Sequence, residues 1–70
     1  MVDGAKIRRL REEAGLFMHE IAEAAGVSEM QVSYYERCLK NPSVVTLKRI
    51  ADKLGVTTDD LLRPPAGDAQ

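Results

Sequence analysis

Gly15, Gly26 and Gly55 each close a short segment whose apolar residues recur every three or four positions. A stripe at that spacing marks a helix with one buried face. A glycine just behind it supplies the left-handed residue on which helices commonly stop. Asp3 caps a first helix over about residues 4–14, with Ile7, Leu10 and Ala14 on its stripe. Ile21, Ala22 and Ala25 give a second helix a narrow face of small residues. Ser28 caps a third over about residues 29–36, with Val32 and Tyr35 inward and Val27 packing just ahead of the cap. Pro42 ends whatever precedes it. Ser43 caps a fourth helix with Val44, Leu47, Ile50, Ala51 and Leu54 on one face. Thr57 caps a short fifth helix, with Asp60 three residues on as a weak capping box, and Leu61 and Leu62 as its apolar anchor. No repeat and no strand pattern appears. The expectation is an all-α fold, a compact five-helix bundle in one domain over residues 1–63, with residues 64–70 as a flexible tail.

Composition narrows what such a bundle does. A chain of 70 residues buries only about 60% of its unfolded surface. With no Trp, one Phe and two Tyr, its core is aliphatic. The single cysteine, Cys38, excludes an internal disulfide, and with the single histidine, His19, it cannot complete a Cys/His zinc site. A reducing, cytoplasmic setting fits. No apolar run approaches the ~20 residues that span a bilayer, and the first residues lack the apolar core of a signal peptide. The adjacent acids Glu12–Glu13 and Asp59–Asp60 point about 100° apart on a helix, so they do not converge on a substrate. There is no glycine-rich phosphate loop. An enzyme, a cofactor, a small-molecule ligand and a membrane partner are not expected.

The informative unit is EIAEAAGVSEMQVSYYE, the second helix, a turn and the third helix. Ala22 and Ala25 are small enough for the third helix to cross close to the second. Gly26 permits the sharp turn. Val27 plugs the gap and Val32 anchors the third helix from below. Ser28, Glu29, Met30, Gln31, Ser33 and Tyr34 are left facing outward.

This pattern resembles the Cro/repressor type of helix-turn-helix protein, also called the XRE family. The resemblance runs over residues 4–62 and includes LREEAG, IAEAAGVS, the glutamate of YYER, NPS, LKRIADKLGV and DDLL. It implies the five-helix domain of phage repressors, double-stranded DNA as the partner, transcriptional regulation and a two-fold homodimer on a palindromic operator. The second helix of such a unit lies in the major groove with its N-terminal residues at base edges. The resemblance also implies a salt bridge between Arg11 and Glu36, fixing the third helix against the first.

The chain departs from the family where DNA would lie. Relatives begin the second helix with a Ser or Thr cap followed by Gln; here Phe17 and Met18 stand there. Phosphate anchoring at that point falls to the helix amides at Met18, aided by His19. Glu29 takes the usual first reading position. It either accepts from cytosine N4 or only favours the helix N-terminus. Gln31 suits adenine, Ser33 either partner, and Tyr34 a phosphate or a thymine methyl. Met30 either meets a thymine methyl or packs on the second helix. Cys38 replaces the family's glycine after the third helix, as an inert side chain or a redox-sensitive one. Arg37, Lys40 and Asn41 are the loop's phosphate candidates, with Lys6 and Arg9 toward the flanking strand.

Net charge is −1, from ten basic and eleven acidic side chains, although phosphate neutralisation carries most DNA affinity. A basic face can coexist with an acidic one. The resemblance puts the dimer contact after the fourth helix, at Val56, Thr57, Thr58, Leu61 and Leu62, where the two leucines either complete the core or meet a partner. Two functions follow. One is a sequence-specific DNA-binding regulator. The other is a protein-interaction module on a helix-turn-helix scaffold, suggested by Phe17, Met18 and Glu29.

Overall fold

Every helix in the computed structural model, which describes residues 2–62, starts where an acceptor captures its first unpaired amides. The expected tail at 64–70 lies outside the described residues. Helix α1 (Gly4–Glu13) starts at Asp3, whose carboxylate accepts from the Lys6 amide at 3.1 Å. Helix α3 (Glu29–Glu36) starts at Ser28, whose hydroxyl accepts from the Gln31 amide at 3.1 Å. Helix α4 (Val44–Leu54) starts at Ser43, whose hydroxyl accepts from the Thr46 amide at 3.1 Å. Helix α2 (Met18–Ala25) follows Phe17, which offers no side-chain acceptor; instead Glu20 reaches back and accepts from the Phe17 amide at 2.9 Å. Left-handed glycines follow α1, α2 and α4, at Gly15, Gly26 and Gly55. After α3 the left-handed residue is Cys38, at φ 61°.

The core is aliphatic. Ile7, Ile21, Val32, Ile50 and Leu61 are fully buried, with Val2, Ala22, Ala25, Tyr35, Leu47 and Ala51 around them. Helix α2 packs against both α3 and α4, and α1 packs against α3. Buried Ala22 and Ala25 permit the close crossing of α2. Gly4 permits another: a Cβ there would collide with the carbonyl oxygen of Tyr35 and the backbone of Glu36. Arg49 of α4 donates to the carbonyl of Ala25 at 3.4 Å, tying α4 to the turn between α2 and α3.

Three expectations need correction. There are four α-helices, and the fifth element is only a 3-10 turn, Asp59–Leu61. Thr57 and Asp60 exchange hydrogen bonds of 3.1 and 3.2 Å that close this single turn. The backbone then extends at Leu62, which forms an antiparallel bridge with Val2, while the Asp3 amide donates to Leu61 at 2.8 Å. Pairing with the N-terminus therefore captures the chain before a helix can continue. Val44 is 83% exposed, not inward. It is the first residue of α4 and projects beyond the packed part of the stripe. Ala14, at the C-cap of α1, is exposed for the corresponding reason at the other end of a helix.

Candidate nucleic-acid interface

The turn between α2 and α3 fixes which face of α3 is free. Gly26 adopts φ 74° and the Val27 amide donates to the Ala22 carbonyl at 3.0 Å. Val27 packs against the core, and Val32 and Tyr35 bury the inner side of α3. Ser28, Glu29 and Met30 are exposed; Gln31, Ser33 and Tyr34 are half-buried at the edges of that face. The Ser28 hydroxyl accepts from Gln31 and keeps its own proton to donate. Glu29 lies in the first turn of α3, where a carboxylate meets the positive end of the helix dipole. Met30 is 63% exposed, so it does not pack into α2.

Helix α3 is held at its far end by Arg11. The guanidinium donates to both oxygens of Glu36, at 2.7 and 3.2 Å, and to the Leu16 carbonyl at 2.9 Å. Both side chains are buried. The hydrogen bond to Glu36 is the main cause that holds the Arg11 pKa above its ordinary value; burial opposes it, and the charges of Glu36 and Glu12 add to it. The pair implied by the resemblance is thus formed, and it joins α1, the Gly15–Leu16 turn and α3.

Besides Arg11, and besides Arg49 and Lys53 on α4, which make no ion pair among the described residues, the cations fall into two groups. On α1, Arg8 and Arg9 reach Glu12 and Glu13 at 3.3 and 3.8 Å, and on α4 Lys48 reaches Asp52 at 3.6 Å. Lys6 is half-buried, and its charge helps lower the pKa of Asp60. The second group lies after α3. Arg37, Lys40 and Asn41 are exposed, and no carboxylate lies within ion-pair distance of Arg37 or Lys40 among the described residues. Both lie over the ring of Tyr34, the guanidinium carbon 5.6 Å and the ammonium 5.4 Å from its centroid. Sequence reasoning missed this grouping. The three-residue spacing from Tyr34 to Arg37 was visible, but the return of Lys40 depends on the left-handed turn at Cys38.

The start of α2 is less suited to an anion than the sequence suggested. Met18 packs its side chain against the core, so only its backbone remains a phosphate candidate. The Phe17 amide is already taken by the Glu20 carboxylate, whose charge opposes a phosphate there. Phe17 is 67% exposed and stacks on His19, ring centroids 5.6 Å apart and planes 13° apart.

Among the dimer candidates, Leu61 is fully buried and belongs to the monomer core, which removes it from any interface. Leu62 remains 42% exposed. Val56 and Thr58 are half-buried, and Thr57 is exposed but bonded to Asp60. Among the described residues, no helix is long and apolar enough to cross a membrane, and no group of three or more His, Cys, Asp or Glu side chains is placed to hold a metal.

The residue pattern of the helix-turn-helix family matches residues 7–61. The uncharacterised HTH-type transcriptional regulator y4dJ of Sinorhizobium fredii is 39% identical over 61 residues, covering 87% of this chain and 79% of y4dJ. SinR of Bacillus subtilis, an HTH-type transcriptional regulator, is 38% identical over 60 residues, and the match spans 84% of this chain but only 54% of SinR. The crystal structure of SinR in complex with DNA superposes with TM-score 0.77 at 38% identity, over 86% of this chain and 97% of that one. The P22 c2 repressor in complex with a synthetic operator superposes with TM-score 0.84 at 25% identity, over 90% of this chain and 96% of that one. With four packed helices, a turn closed by Gly26 and a match over residues 7–61, the chain belongs to the helix-turn-helix family of DNA-binding transcriptional regulators, of the Cro/repressor or XRE type.

Proposed function

We propose that this chain is a sequence-specific transcriptional regulator that binds a palindromic operator as a homodimer, with α3 in the major groove. The observation that carries the reading is the adjacency of two surfaces. The outer face of α3 offers hydrogen-bonding side chains at Ser28, Glu29, Gln31 and Ser33, and the loop behind it holds the exposed Arg37 and Lys40, which make no ion pair among the described residues. Phosphate contacts position such a domain and base contacts specify its site. Gln31 suits bidentate bonding to adenine and Glu29 acceptance from cytosine N4. Exposed Met30 suits a thymine methyl. Val56, Thr58 and the exposed part of Leu62 are the surface proposed to meet the second subunit.

Selection from random duplex DNA tests this. The expected product is a palindrome whose half-sites lie about 34–36 Å apart, one helical turn. Gln31→Ala should relax one position of each half-site, reducing its discrimination by about 1–3 kcal/mol. Failure to enrich any sequence, with binding confined to very low salt, would overturn the proposal. That outcome would support a protein-interaction module instead, a reading favoured by the exposed rings of Phe17 and His19 and by Met30.

A further inference from the structure

Two cations that repel each other are held on one ring beside the reading helix. The left-handed Cys38 folds the chain back, with its amide donating to Tyr35 at 3.1 Å and the Leu39 amide donating to Tyr34 at 2.9 Å. This reversal returns the Lys40 ammonium to 5.4 Å from the Tyr34 centroid, where the Arg37 guanidinium already lies at 5.6 Å. The ring quadrupole attracts each cation but does not cancel the repulsion between them. No carboxylate among the described residues makes an ion pair with either. An anion that both cations contact would offset their like charges, and the Tyr34 hydroxyl is an uncharged donor on the same side chain. Tyr34 is half-buried, and two long side chains already resting on its ring lose less freedom on binding.

We infer that Tyr34, Arg37 and Lys40 form one phosphate clamp, with Tyr34 as the positioning residue and the DNA backbone as the source of the phosphate; this rests on the DNA-binding reading above. The start of α2 is a poor second anchor because Glu20 already occupies the Phe17 amide. Backbone anchoring is therefore concentrated at the C-terminal end of α3.

The test is a salt titration on the duplex selected by the wild-type chain, over about 50 to 200 mM salt. Lys40→Gln removes one phosphate contact from each subunit of the dimer and should lower the slope of log K against log salt by about 1.8, twice the value for a single contact. Tyr34→Leu removes no charge, yet it should lower the slope by a similar amount or more, because the cations lose their platform. Tyr34→Phe keeps the ring and should keep most of the slope. An unchanged slope for folded Tyr34→Leu would refute the clamp. Should Tyr34→Leu fail to fold, the exposed pair decides: Arg37→Gln and Lys40→Gln should together lose less affinity than the product of their separate losses, and strict additivity would refute the clamp. Inorganic phosphate separates the sources. Displacement of phosphate from the wild-type chain by the duplex, followed through the Tyr34 ring resonances, supports the DNA backbone. Phosphate that stays bound when the duplex is added overturns that assignment. A wild-type chain that binds no duplex refutes the DNA-binding reading as well, which distinguishes that failure from a failure of the clamp alone.

Discussion

Arg11 and Glu36, 25 residues apart in sequence, form a two-pronged buried ion pair at 2.7 and 3.2 Å. A third bond from the same guanidinium ties down the Leu16 carbonyl, so one side chain sets both the turn after α1 and the end of α3. Removing one partner of a buried pair strands the other charge and typically costs about 3–5 kcal/mol. Glu36→Ala and Arg11→Ala should each lose stability in that range in urea unfolding, and the double substitution should lose less than the sum. The raised Arg11 pKa also fixes a sign. A cationic group raised on folding stabilises at every pH below its unfolded value, so this contribution should be constant from neutral pH to mild alkali. A loss between pH 7 and 9 traced to Arg11 would contradict it.

Gly4 is the first residue of α1; within a helix, Gly→Ala ordinarily stabilises by about 0.5–1 kcal/mol. Here the sign should reverse. The added Cβ would collide with the carbonyl of Tyr35 and the backbone of Glu36, neither of which can rotate away. Gly4→Ala should destabilise by about 1–3 kcal/mol, the usual cost of overpacking, and lower the thermal midpoint.

The two helix starts of the functional unit should respond in opposite directions. Ser28→Ala removes the acceptor for the Gln31 amide and should cost about 1 kcal/mol. Phe17→Ser gives α2 the side-chain acceptor it lacks, and the replaced ring is mostly exposed. It should add stability of up to about 1 kcal/mol, read from the midpoint of a denaturant titration.

Asp60 supplies a pH signature. Hydrogen bonds from the Thr57 backbone and then its side chain lower the carboxyl pKa below its ordinary value of 3.8, with a contribution from Lys6. A carboxylate depressed on folding stabilises above its unfolded pKa, and that stabilisation is lost as pH falls through the folded one. The wild-type chain should lose stability below about pH 4, and Asp60→Asn should flatten this acid limb. Equal acid limbs for both proteins would rule out the Thr57–Asp60 turn as its source.

Local chemistry made most of the fold readable. Asp3, Ser28 and Ser43 start helices, and Gly15, Gly26 and Gly55 follow their ends, because caps and left-handed residues act within a few positions. The inward positions Ile7, Ile21, Val32 and Ile50 followed from period alone. What escaped was non-local or depended on a turn. The Val2–Leu62 bridge joins the two ends of the described residues, and neither residue carries a strand pattern. Period placed Val44 inward because it does not register that a helix's first residue can overhang its packing partner. At the interface, the candidate readers on α3 were legible from the helix-turn-helix spacing. The Tyr34 cluster was not, since it requires the path of the backbone through Cys38.

The bridge between Val2 and Leu62 brings the two ends of the described fold within about 4.8 Å, one strand spacing. The domain is thus close to a covalent ring interrupted at a single point. A short linker across that point should allow new termini to be opened in the Cys38–Asn41 loop without moving the core. The same adjacency makes the bridge the first structure to part when the chain is pulled from both ends, so tension entering there would reach α1 and Arg11 before it reached α3.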